Sequence, residues 1–345
     1  MGRRVLVTGL STFWGARVAQ ALEADPDVEA IIGLDTEEPS IELERTEFVR
    51  ADHSWSIINR LVRATQVDTV LHTFLVVDST RSSAKELHET NVIGTMNLLA
   101  AAGAPGSSVR QMVVKSSGLI YGAGSRDPAW WTEEAARTEP ATTRVERSLL
   151  EVEGYLSDFA DDNPHVSVTL LRFANVLGQE IRTPLSKLLE LPLTPAMLGF
   201  DPMLQFVEET DVLRSLLFVM RNRLPGIFNV GGDGKLPWSE CASIAGKRLA
   251  PIIPPVGAEF LASLVNRLYD LPPEVLQLLT YGRALDNRRL KQHGFEYAFT
   301  SAGAVESFAQ ASRLRATIRR GTDETYHYER DVESFFRHSP AVVRD

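Results

Sequence analysis

Gly9 and Gly15 bracket the turn Leu10-Ser11-Thr12-Phe13-Trp14 between an apolar run and a helical pattern. Such a turn lets backbone approach a phosphate, and the helix that follows holds the anion at its N-terminus. Gly9 suits the tight turn and Gly15 the close packing of the helix. Thr12, Phe13 and Trp14 lie where the anion would sit, and Thr12 places a Cβ at the middle position, where glycine is usual. Asp35 closes the second apolar run about 20 residues beyond Gly15, where an acid binds the hydroxyls of an adenosine ribose. Glu37 and Glu38 follow, with no Arg or Lys before Arg45. A 2′-phosphate would meet only negative charge there, so the expected cofactor is NAD rather than NADP.

Other residues could move protons. Lys115 stands two positions before Ser117, so a regular strand points both to one face. A desolvated lysine can act as a base. His72 and His53 fall near strand ends beside the same site. Structural histidines of this kind outnumber ligating ones, although His72 is kept in the cofactor-binding set. Cys241 is the single cysteine, which excludes an internal disulfide and a cysteine-based zinc site and suits a reducing compartment.

These residues need elements to position them. Apolar runs at Arg4–Thr8, Ala30–Leu34, Thr69–Thr73, Gln111–Lys115, Ser167–Leu171 and Ile227–Val230 lack polar alternation, as strands buried on both faces do. Helical spacing marks Trp14–Ala24, Ile57–Ala64, Leu87–Ala102 and Arg144–Phe159. Alternating strands and helices predict an α/β fold, a Rossmann-type doubly wound parallel sheet. After Gly178 the pattern breaks at Pro184, Pro192, Pro195 and Pro202, and beyond Leu236 it reads as mainly helical. The expected division is a dinucleotide-binding domain over 1–178, to which 205–232 returns, and a smaller, mainly helical C-terminal lobe over 179–204 and 233–318. A charged tail, 319–345, is read as solvated or locally packed rather than as an oligomerisation arm.

The 345 residues carry 36 Lys and Arg against 45 Asp and Glu, a net charge of −9, which argues against nucleic-acid partners. No apolar stretch approaches the roughly 18 residues of a membrane span. A soluble cytoplasmic protein is expected.

Six further segments fall in a family order. They are Asp52 in Val49-Arg50-Ala51-Asp52; Asn91-Val92-Ile93-Gly94-Thr95 with Asn97; Ser116-Ser117-Gly118-Leu119-Ile120-Tyr121-Gly122; Arg172-Phe173-Ala174-Asn175-Val176-Leu177-Gly178; Phe206-Val207 with Asp211-Val212; and Gly226-Ile227-Phe228-Asn229-Val230-Gly231. With the glycine turn they resemble the extended short-chain dehydrogenase/reductases of the NAD-dependent epimerase/dehydratase family, over about residues 4–235. The resemblance implies that Asp52 contacts adenine, that Asn91 and Ser116 belong to the cofactor site, that Ser117 is the catalytic hydroxyl, and that Asn175 and Ser117 face substrate. It also implies a homodimer formed through the helices after Asn91 and around Arg147.

The family's chemistry rests on a Tyr-x-x-x-Lys pair on one helix face. Pro140 and Glu151 set a register that puts Thr143 at the tyrosine and Arg147 at the lysine. Arg147 could still donate to ribose hydroxyls. The nucleotide-sugar members' arginine before Phe-Val is also missing, since Met203-Leu204-Gln205 stands there. The leucine-rich stretch 184–204 would make a greasy pocket, so an apolar or acyl-bearing small molecule competes with a UDP-sugar, with Arg182, Arg214 and Arg283 as remaining sources of charge. Three functions stay open: a NAD-binding protein with degenerate catalysis, an active epimerase or oxidoreductase using Ser117 and a rearranged set, and an interaction protein without cofactor.

Overall fold

The computed structural model describes residues 2–80, 82–252, 271–317, 335–336 and 339–343. Seven strands form one sheet: β1 (Arg3–Thr8), β2 (Val28–Asp35), β3 (Thr46–Arg50), β4 (Thr69–His72), β5 (Gln111–Ser117), β6 (Ser167–Phe173) and β7 (Gly226–Val230). Their order across the sheet is β7-β6-β5-β4-β1-β2-β3, with every neighbouring pair parallel. The order reverses between β1 and β4, which opens a crevice at their C-terminal ends. All six expected strands begin and end within two residues of expectation. The edge strand β3 had no counterpart, because Thr46, Glu47 and Arg50 interrupt the apolar signature there.

Helices cover both faces. On one lie α1 (Phe13–Glu23) and α5 (Glu209–Asn222); on the other lie α2 (Trp55–Thr65), α3 (Gly94–Ala102) and α4 (Arg144–Asp162). Val145, Leu149, Val152, Leu156 and Phe159 of α4 are buried as one stripe, as their spacing predicts. The single helix expected over 87–102 is instead Ala84–His88, a π-turn at Glu89–Ile93, and α3. That irregular turn carries Asn91 into the interior.

A third cluster gathers Leu185, Leu188, Leu189, Met197, Trp238, Cys241 and Phe308. Pro184 opens the helix Pro184–Glu190 instead of breaking one, since a first-turn proline lacks only an amide that would go unused. The strands Leu193–Met197 and Arg248–Ile252 pair in parallel beside it. Burial pushes the Cys241 thiol up to about 12. Tyr326 and Tyr328 of the tail lie outside the described residues. Its end returns to the sheet domain: Phe335 is fully buried among the α2–α4 side chains, Arg60 stacks 3.9 Å over Phe336, and the Val343 amide donates to the Ala64 carbonyl at 2.7 Å. Among the described residues, no helix is long and apolar enough to cross a membrane.

Candidate functional site

The glycine turn is built by close approach. Gly9 has φ +80°, and a Cβ added to it would lie 2.7 Å from the Phe74 backbone nitrogen. A Cβ on Gly15 would collide with the Gly9 carbonyl. Both positions therefore exclude other residues. Thr12 turns its side chain inward rather than toward the crevice. Its hydroxyl accepts the Gly15 amide at 3.1 Å and donates to the Gly9 carbonyl at 2.6 Å, capping α1. The Phe13 and Trp14 amides, next in line, take no acceptor among the described residues. Two donors thus remain at the positive end of an 11-residue helix.

Asp35 is buried at the end of β2. One carboxylate oxygen accepts the Ser11 amide at 2.8 Å and the Ser11 hydroxyl at 2.7 Å, and the other accepts the Thr36 amide at 2.7 Å. The acid therefore anchors the turn itself. The Thr36 hydroxyl adds a long fourth bond to that second oxygen at 3.4 Å, so of the carboxylate's roughly four lone-pair sites this weakly held one is the place for a ribose hydroxyl. Arg50 pairs with Glu38 at 3.8 Å and donates to the Thr36 carbonyl. Asp52 is exposed and caps the following turn through the Ser54 amide. Between the two acids lies His53. Burial lowers its pKa, while the Asp35 and Asp52 charges oppose that shift. Its Nε2 is buried without a hydrogen-bond partner. Two carboxylates fit the hydroxyls of an adenosine, and the free amides fit a pyrophosphate. The residues present therefore suit a dinucleotide.

His72, an expected cofactor contact, makes its hydrogen bonds within the protein. It is fully buried, with Nδ1 2.8 Å from the Thr8 hydroxyl and Nε2 3.0 Å from the Thr95 hydroxyl. Thr95 passes the chain on to the Asn91 carbonyl at 2.5 Å. Both ring nitrogens are spent inside the protein. Asn91 is spent as well: it exchanges two bonds with the Val76 backbone, at 2.7 and 2.9 Å, and donates to Ser148 at 3.1 Å. It positions the strand end and α4, and offers no free polar atom to a ligand.

Ser116 and Ser117 face opposite sides of the sheet. The Ser117 hydroxyl is half-buried and accepts the Leu119 amide at 3.2 Å. The Ser116 hydroxyl donates to Glu153 at 3.0 Å. Glu153 holds Arg172 at 2.5 Å, Arg172 donates to the Tyr121 hydroxyl at 2.7 Å, and Tyr121 donates to Asn229 at 2.8 Å. This buried chain ties α4 to β5, β6 and β7. Sequence reasoning missed it, because its members come from four separate segments and only their alternation into the sheet brings them together.

The entry to α4 holds the two positions aligned with the family's pair. Thr143 is its N-cap: the hydroxyl accepts the Glu146 amide at 3.2 Å, and Glu146 returns a carboxylate oxygen to the Thr143 amide at 3.3 Å. Arg147 is exposed and donates to the Ala141 and Thr142 carbonyls at 3.4 Å. The charge expected from Arg147 therefore lies on the solvent side. From Pro140 to Gly154 there is no tyrosine and no lysine, so no shift of register restores the pair.

On the substrate side, the Asn175 amide nitrogen donates to the Gln205 carbonyl at 2.9 Å. Gln205 is buried and clamps Leu285 and Gly232. Leu185, Leu188 and Leu189 fill the third cluster rather than line a greasy pocket. Arg214 pairs with Asp211, and buried Arg283 donates to the Gly122 carbonyl at 3.0 Å. No metal-ligand cluster occurs among the described residues.

Sheet order, glycine turn and strand-end acid together define a Rossmann protein of the extended short-chain dehydrogenase/reductase type. The chain belongs to the NAD-dependent epimerase/dehydratase family, whose model matches residues 5–231. An uncharacterized protein of Mycobacterium tuberculosis H37Rv is 34% identical over 322 residues, 91% of this chain and 85% of its own. UDP-glucose 4-epimerase of Yersinia enterocolitica is 29% identical over 126 residues, 36% of each chain. Among solved structures, UDP-glucose 4-epimerase of Thermotoga maritima with UDP-glucose superimposes with TM-score 0.68 at 19% identity, covering 91% of this chain and 99% of its own. MoeE5 in complex with UDP-glucose and NAD gives 0.68 at 20%, covering 91% and 100%.

Burial first, and the nearby His53 second, lower the His72 pKa to about 3. An unfolded histidine titrates near 6.5, so below that pH the unfolded chain binds a proton that the folded chain refuses. The stability tied to neutral His72 is present above pH 6.5 and is lost as pH falls toward 3. Between pH 7.5 and 5 the native protein should lose about 2 kcal/mol more than His72→Gln, measured by urea unfolding. Parallel losses in the two proteins would refute this.

Proposed function

We propose that the chain binds NAD and a small-molecule ligand at the C-terminal edge of the sheet without performing the family's Tyr–Lys chemistry. The entry to α4 carries this reading, because Thr143 is committed to its cap and Arg147 to solvent-side carbonyls. When bound, NAD supplies a ring that accepts or returns hydride. The Phe13 and Trp14 amides hold its pyrophosphate, with Gly9, Thr12 and Gly15 shaping the turn. Asp35 accepts from the ribose and Asp52 meets the adenine. Ser117 and Asn175 face the ligand. A phenol near pKa 10 can be drawn toward neutrality by a cation, whereas the aliphatic hydroxyl of Thr143 titrates far higher and cannot shuttle a proton at pH 7. Losing such acid–base help costs about 10²–10⁴-fold in rate.

Asp35 favours NAD over NADP by repelling a 2′-phosphate, and the nearby Arg50, which would attract one, is paired with Glu38. A nucleotide sugar of the kind MoeE5 holds would meet neutral Gln205 where relatives place an arginine, so a ligand with less phosphate character fits better. The single buried thiol, Cys241, fits a cytoplasmic protein. A second reading, catalysis by Ser117 with a rearranged set, is favoured by the nearby buried amine of Lys115.

Purified protein, once denatured, should release NAD or NADH, and the apo-protein should bind NAD roughly tenfold or more tighter than NADP. UDP-glucose should not be turned over. Turnover abolished by Ser117→Ala would establish the second reading, and failure to bind either nucleotide at millimolar concentration would leave an interaction protein without cofactor.

The partner we propose for the α3–α4 face is a second copy of the chain. Ile93, Met96 and Leu150 are 42%, 40% and 39% exposed there, and Met96 and Tyr155 line a groove between the two helices. Sedimentation velocity should show a dimer that Leu150→Arg converts to monomer. A monomeric native protein would exclude this.

A further inference from the structure

Lys115 is the one residue of β5 whose burial the fold does not explain. It is 5% exposed near the C-terminal end of the strand. Its Nζ lies 5.5 Å from the Trp14 ring centroid and 5.7 Å from that of Phe173. No hydrogen bond or ion pair to the Lys115 side chain occurs among the described residues. Its Nζ is not fully sealed and keeps a sliver of accessible surface. Cation–π contact with two rings offsets only part of the cost of removing an ammonium from water. A structural lysine would have acquired a carboxylate or been replaced by an apolar residue.

Its position suggests what it awaits. Trp14 belongs to the first turn of α1, and its amide is one of the two free donors. Ser117 lies two residues further along β5, on the face Lys115 shares. The amine therefore lies against the side chain of the residue whose amide is one of the two free donors, near the end of β5. The charged groups nearby are already engaged: Arg17 of α1 pairs with Glu180, Arg172 of β6 turns to the opposite face to pair with Glu153, and His72 of β4 points to Thr95. Glu209 at the start of α5 accepts the amides of residues 179–181.

Building on NAD binding, we propose that Lys115 is the counter-charge for the pyrophosphate of the bound dinucleotide, so that protonation of this lysine and cofactor binding are linked. Phosphate would be held by two amides of α1 and by one ammonium from β5, a cation the glycine turn alone does not supply. Burial alone lowers the Lys115 pKa to about 8, with no charged neighbour contributing. The free protein is thus part neutral near physiological pH. A dianion placed beside the amine raises its pKa, and binding takes up a proton. Above pH 8 the neutral amine has no charge to offer, and affinity falls.

Titration calorimetry with NAD and with NADH, from pH 7 to 9.5 in buffers of different ionisation enthalpy, tests this. Proton uptake should occur near pH 8, and affinity for both nucleotides should fall alike toward pH 9.5. Lys115→Met should weaken both by about tenfold or more and abolish the uptake, since charge-assisted bonds are the strong ones. Lys115→Arg should keep most of the affinity while removing the pH dependence, because arginine stays charged. A thermal midpoint for Lys115→Met at or above the native value would show that the loss is not misfolding. Affinity indifferent to pH or to Lys115→Met, or a change confined to NAD, overturns the counter-charge alone. Absence of binding to either nucleotide overturns it together with the cofactor reading.

Discussion

The molecule turns on the contact between Gly9 and Gly15, where helix α1 packs directly onto the backbone that ends strand β1. No side chain fits between them. That approach aims the start of α1 across the crevice at the sheet's switch point, and it leaves the Phe13 and Trp14 amides bare. Asp35 stabilises the same turn from β2 by accepting both donors of Ser11. The elements that would read a dinucleotide are therefore those that hold the turn in shape. The scaffold can keep this half intact for structural reasons, whatever becomes of the chemistry.

The other half is free to change because α4 is held in place without its usual pair. The Thr143–Glu146 capping box starts the helix. The Ser116–Glu153–Arg172–Tyr121 chain then fixes α4 against the sheet, and Asn91 bonds to Ser148 from the π-turn. Removing one member of such a buried ion pair commonly costs about 3–5 kcal/mol, so these contacts resist drift. Positioning and proton transfer are separable tasks, and the contacts that position α4 here involve no Tyr-x-x-x-Lys pair.

Much of the sheet was legible from its residues. Runs of Val, Ile and Leu without polar alternation mark strands covered on both faces, and β1, β2, β4, β5, β6 and β7 all have them. Edge strand β3 did not, since one flank of an edge meets water and tolerates Glu47 and Arg50. The glycine turn and Asp35 were legible because their spacing reflects a local backbone requirement. His72 is not legible for the opposite reason: a histidine at a strand end looks alike whether its ring meets a ligand or two buried threonines, and only the packing of α3 decides. The Arg172 chain left no local signal at all. Arg147 matched a motif position, but its direction depends on how the capping box winds the first turn of α4.

The most direct test is an experimental structure of the protein grown with NAD. The account predicts the pyrophosphate on the Phe13 and Trp14 amides, the ribose at Asp35, and neither phenol nor ammonium from residues 140–154 within hydrogen-bond reach of the nicotinamide ribose. A tyrosine and a lysine converging on that ribose from another part of the chain, or a crevice that admits no adenosine, would contradict it.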